Sequence, residues 1–108
     1  PTLAAKHAEA VLSEVLSKSG VSRGEITAWI LHAAGRDVLS ALRNRLGLAA
    51  GDLVWSEGIL REHGNISSPS VIFVLDAALR GGAPAGRWWM SSFGAGFSCH
   101  GAMLDVSA

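Results

Sequence analysis

Cysteine is almost absent from the chain: Cys99 stands alone in 108 residues. A single thiol excludes an internal disulfide framework and a cysteine-based zinc site, and it fits a reducing compartment, so a cytoplasmic location is expected. An excess of charge is missing too, with nine basic and nine acidic side chains and the basic ones scattered from Lys6 to Arg87. Without an electrostatic footprint, neither nucleic acid nor an anionic membrane is an expected partner. No run approaches the roughly 20 apolar residues of a membrane span. The opening Pro1-Thr2-Leu3-Ala4 has neither an initiator methionine nor a charged stretch followed by an apolar one. No signal peptide is expected, and the chain is expected to start inside a longer protein. His7, His63 and His100 are isolated, with no metal-ligand spacing, so no metal is expected.

What is abundant is apolar surface. Hydrophobic residues make up 49% of the chain, and its mean hydropathy is +0.32. A chain of this length forms one domain, or part of one, with a modest core. Its apolar content therefore predicts a face covered by a partner.

The patterning predicts alternating helices and strands. Leu3, Ala8, Val11, Leu12, Val15 and Leu16 recur at helical spacing before Gly20. The run Ile26-Thr27-Ala28-Trp29-Ile30-Leu31 is apolar on both faces, as a strand buried between layers should be, and it ends at His32. Val38, Leu39, Leu42 and Leu46 mark a second helix closed by Gly47. Leu53-Val54-Trp55 is expected to be a short strand, followed by a helical turn or two over residues 57–62. Ser68 as N-cap and Pro69 at the first helical position open a strongly apolar helix through Leu79, ended by Gly81-Gly82. Strands over residues 87–92 and 97–106, joined by Gly94-Ala95-Gly96, form a closing hairpin. The whole is an α/β layered domain with a mixed sheet packed against helices.

Taken singly, the polar residues have structural readings. His32 sits where a buried strand gives way to small residues, a usual place for catalytic groups in open α/β sheets, yet a lone histidine there is more often packed than catalytic. Asn65 follows a glycine and precedes a capped helix, so alone it reads as a turn residue, although its neutral amide suits an oxyanion hole. Ser67 and Ser68 read as helix caps. Ser92-Phe93-Gly94-Ala95-Gly96 is a hairpin turn against which a substrate can lie closely, and no dinucleotide fingerprint. Cys99 falls inside a strand, on a face with Phe97 and Met103, and reads as a small core residue.

Together, the pieces have an order. Trp29-Ile30-Leu31-His32-Ala33-Ala34-Gly35, Gly47-Leu48, Trp55, Leu60-Arg61-Glu62, Gly64-Asn65-Ile66-Ser67-Ser68, Phe73, Leu75-Asp76 and Phe93-Gly94-Ala95-Gly96 resemble the C-terminal part of type III polyketide synthases. These are the chalcone and stilbene synthase-like enzymes of the thiolase fold, and the resemblance spans nearly all of residues 1–108. It implies a Cys-His-Asn triad acting on CoA thioesters, with His32 and Asn65 as two members and the cysteine in an N-terminal half that precedes this chain. The implied reaction is decarboxylative condensation of malonyl-CoA onto a cysteine-bound acyl starter, in a homodimer, without a cofactor beyond the acyl-CoA substrates. Ala34, Gly35, Phe93 and Gly94 would line the substrate site.

Departures from the family pattern are specific. His32-Ala33-Ala34-Gly35 stands where the family usually has His-Pro-Gly-Gly, and Ser92-Phe93-Gly94-Ala95-Gly96 where it has Gly-Phe-Gly-Pro-Gly. The added methyl at Ala34 implies an altered fit of the thioester, while no catalytic group is lost. Ketoacyl-ACP synthases are the nearest competitor, but they usually follow the histidine with Gln-Ala-Asn and the later glycine with Asn-Thr-Ser. A third reading, from the hydropathy alone, is a non-catalytic half-domain that self-associates through its apolar surface.

Overall fold

The computed structural model describes residues 2–32, 35–64, 70–93 and 99–107. Helix α1 (Thr2–Ser19) leads through a 3-10 turn (Arg23–Glu25) into strand β1 (Ile26–Leu31) and helix α2 (Arg36–Leu46). A second 3-10 turn (Ala50–Leu53) runs directly into α3 (Val54–His63), and α4 (Ser70–Arg80) precedes strands β2 (Gly86–Phe93) and β3 (Cys99–Val106). The sheet order is β1-β2-β3, with β1 parallel to β2 and β2 antiparallel to β3. The expected α/β architecture with a mixed sheet is present. The expected turn at Gly94-Ala95-Gly96 and the cap at Ser68-Pro69 lie outside the described residues.

Successive strand residues face opposite sides of a sheet, and the two adjacent tryptophans of β2 show how both sides are filled. Trp89 joins Trp29 and Leu31 against Ala5, Ala8 and Leu12 of α1 and Leu39, Leu42 and Leu46 of α2. Trp88 joins Ala28 and Ile30 against Ile59 of α3 and Val71, Val74 and Ala78 of α4. A register shift between Ile26 and Ala28 turns Ile26 to the α1/α2 side with Trp29 and Leu31. Each fully buried leucine here contributes about 1.5–3 kcal/mol of burial energy. Close approach has its own requirement at Gly101 of β3, where a Cβ would overlap the Trp89 ring.

One element differs from expectation. Leu53-Val54-Trp55 is no strand but the end of a 3-10 turn and the start of α3. The Asp52 carboxylate accepts the Ala49 N–H at 2.8 Å, which closes the turn that launches the helix. Helix α3 then buries Ser56 and Ile59, three residues apart on one face, and runs ten residues rather than a turn or two.

Candidate active site

The site begins where β1 stops. His32 extends the parallel ladder by one bond, donating its N–H to the Ser91 carbonyl at 3.0 Å, and it is only 6% exposed. Its ring is then oriented from the neighbouring strand. The Phe93 N–H donates to His32 Nδ1 at 3.2 Å, and the two rings lie tilted with centroids 6.1 Å apart. An Nδ1 that accepts a hydrogen bond must present its lone pair, so in the neutral ring the proton sits on Nε2. A main-chain donor thus selects the tautomer whose far nitrogen is a donor.

A second constraint comes from α3. Ser56, fully buried, donates its hydroxyl to the Leu31 carbonyl at 2.8 Å, one residue before His32. The carbonyl at the strand end is thereby satisfied inside the core, and helix and strand are tied at this point. Sequence reasoning missed Ser56; its only signal was a serine at core spacing, three residues before Ile59. After His32, Gly35 adopts φ +117 and its carbonyl accepts the Leu39 N–H at 3.0 Å to start α2. That conformation is open to glycine and strained for side chains, which gives Gly35 a backbone reason independent of any substrate.

Of the residues read as a site, His32, Gly35 and Phe93 are described, and His32 and Phe93 are in direct contact. Ala34, Asn65 and Gly94 lie outside the described residues. The Asn65 segment is flanked by described positions on both sides. Gly64 ends α3 with φ +71, and its N–H donates to the Leu60 carbonyl at 2.8 Å; Ser70 opens α4, fully buried. His63 stacks on Phe73 with centroids 5.7 Å apart, joining the end of α3 to the first turns of α4.

Cys99 stands at the start of β3, paired in register with Phe93 and packed against the α1/α2 side of the core with Met103. Burial pushes its thiol pKa up, the opposite of what a nucleophile needs. It is a partly buried strand residue packed against the core, not one of its fully buried members.

Residues 16–106 match the family model described as 3-oxoacyl-(acyl-carrier-protein (ACP)) synthase III C terminal. The chain belongs to this synthase III C-terminal family. Within it, the chain is 37% identical over 82 residues to a 3,5-dihydroxyphenylacetyl-CoA synthase from Streptomyces toyocaensis, covering 76% of this chain and 21% of the relative. A protein of the same name from Amycolatopsis orientalis is 38% identical over 73 residues, covering 68% of this chain and 20% of the relative. Among solved structures, PKS-I from the brown alga Ectocarpus siliculosus superposes with a TM-score of 0.81 at 32% identity, covering 95% of this chain and 29% of that one. The synthase III C-terminal segment described here therefore corresponds to the C-terminal part of a type III polyketide synthase and has its thiolase-like α/β fold. It spans about a fifth of the length of the curated relatives it matches.

Proposed function

We propose that the protein carrying this segment is an acyltransferase of polyketide synthesis that condenses malonyl-CoA with decarboxylation onto a cysteine-bound acyl starter. In this reading His32 and Asn65 are two members of the triad, and the cysteine is supplied by sequence outside residues 1–108. The observation that carries it is the Phe93 N–H on His32 Nδ1. It supports a neutral imidazole whose Nε2–H donates to the thioester oxygen. When malonyl-CoA loses carbon dioxide, the C–C bond electrons pass to the α-carbon and the thioester oxygen, and negative charge grows on that oxygen. Donors already in place around it lower the barrier because nothing must reorganise as the charge appears. The resulting enolate carbon then attacks the acyl-cysteine carbonyl, and the thiolate leaves.

Asn65 fits the second donor, since an amide N–H stays neutral at every working pH. Gly35 and Phe93 would line the thioester's path, with Ala34 and Gly94 beside them. No metal or redox cofactor enters this scheme, and the thioesters are substrates. Homodimerisation and a cytoplasmic location belong to the same proposal.

Replacing Asn65 by alanine in the intact protein is expected to slow malonyl-CoA decarboxylation about a hundredfold, the usual cost of losing one oxyanion donor. Unchanged turnover would remove Asn65 from the mechanism. The name of the matching family favours one second reading, a condensing enzyme that takes its extender from an acyl carrier protein. Comparing malonyl-CoA with malonyl-ACP as extender in the same assay separates the two.

A further inference from the structure

The chain's arginines divide into two groups. Arg23 donates to the Leu46 carbonyl, Arg45 pairs with Glu9, Arg80 with Asp76, and Arg87 with Asp105. Arg36, Arg43 and Arg61 have no ion-pair or hydrogen-bond partner among the described residues, and all three line one groove of about 310 Å³ between α2 and α3. Arg36, Ser40 and Arg43 fall at i, i+4 and i+7 on α2, so they share a face, and Arg61 comes from α3. Glu57 is the single carboxylate on the lining. Leu39, Leu53 and Leu60 complete the wall, the first two of them buried. Neither His32, Gly35 nor Phe93 belongs to it.

We propose that this groove is a binding site for a small organic phosphate, separate from the site at His32. Three guanidinium groups against one carboxylate leave the groove with net positive charge. Their planar forks match phosphoryl oxygens two at a time, which is the reason arginine recurs wherever phosphate is bound. Ser40 adds a hydroxyl donor on the same face. The leucines give the ligand's carbon portion an apolar surface, so an ester of phosphate suits the groove better than the bare ion. Glu57 opposes the anion and limits its affinity. The inference is independent of the condensing activity, because it uses none of the residues assigned to that reaction.

The test is calorimetric titration of the intact protein with butyl phosphate and with inorganic phosphate, repeated in the presence of saturating CoA. Butyl phosphate is expected to bind with a Kd of about 1 mM or tighter. Inorganic phosphate is expected to bind at least about fourfold more weakly, the value of one buried methylene. Arg43→Ala and Arg61→Ala are each expected to weaken butyl phosphate about five- to tenfold, while Arg43→Lys, which keeps the charge and loses the fork, falls between. Glu57→Gln is expected to tighten it about threefold by removing the like charge. CoA is expected to leave the titration unchanged. The site is overturned by absence of binding at 10-fold higher concentration, or by full binding in the Arg43→Ala, Arg61→Ala double variant. Equal affinity for the two phosphates overturns the ester, and displacement by CoA overturns the separateness.

Discussion

Helices α2 and α4 have eleven residues each and pack on opposite sides of one sheet, yet their outward surfaces are of different kinds. On α2 the solvent side carries Arg36, Asp37, Ser40, Arg43, Asn44 and Arg45 beneath a buried stripe of Leu39, Leu42 and Leu46. On α4 the buried stripe is Ser70, Val71, Val74 and Ala78, and the other side still holds Ile72, Phe73 and Leu79, each more than half exposed. Val54 at the start of α3 adds to the same side. The outward side of α4 thus mixes these apolar side chains with the exposed Asp76–Arg80 ion pair, whereas α2 has the wholly polar back of an ordinary surface helix. Among the described residues the outward side of α2 is polar, while α3 and α4 expose most of the large apolar side chains, with Leu3 of α1 the exception.

The comparison can be broken first at the α1/α2 layer. Leu42→Ala deletes a fully buried side chain between α2 and the sheet, and chemical denaturation of the intact protein should show a loss of about 2–5 kcal/mol. On the other layer, Ile72→Ser is the sharper probe. If α4 is covered, it costs about 2 kcal/mol or more; if the face is open to water, the change stays within about 0.5 kcal/mol. Next comes the tie between α3 and β1. Ser56→Ala leaves the Leu31 carbonyl buried without its donor and should cost about 1–3 kcal/mol in the same denaturation experiment.

The smallest effect concerns Cys99, which touches the α1/α2 side of the core. Its thiol pKa is raised by burial, so as pH rises through the ordinary thiol range, where the unfolded chain ionises, the folded protein still holds it protonated. Alkylation by iodoacetamide at pH 8 should therefore be slower in the native protein than after unfolding, with the gap narrowing as pH rises. Equal rates in the two states would show that the burial has no chemical consequence.

Much of this was legible in the residues themselves. The run ending at His32 reads as a buried strand because Ala28, Trp29, Ile30 and Leu31 are apolar on both faces, and the structure buries them all. The body of α4 and both closing strands follow from their apolar patterns in the same way. Leu53-Val54-Trp55 misleads because three apolar residues fit either period, and the deciding contact is the Asp52 carboxylate on Ala49, a turn bond invisible to hydropathy. Ser56 escapes because a helical serine ordinarily faces water; only its bond across 25 residues to Leu31 makes it part of the site. Neither could the sequence assign a tautomer to His32, since the donor that sets it is 61 residues away on another strand.

That tautomer is the centre of the account, and malonyl-CoA decarboxylation by His32→Gln beside His32→Ala in the intact protein tests it most directly. Glutamine keeps a neutral N–H donor, and alanine keeps none. The account predicts that His32→Ala loses about a hundred- to a thousandfold in rate and that His32→Gln retains at least about tenfold more activity than alanine. A His32→Ala enzyme at the unmodified rate, or glutamine no better than alanine, would contradict it.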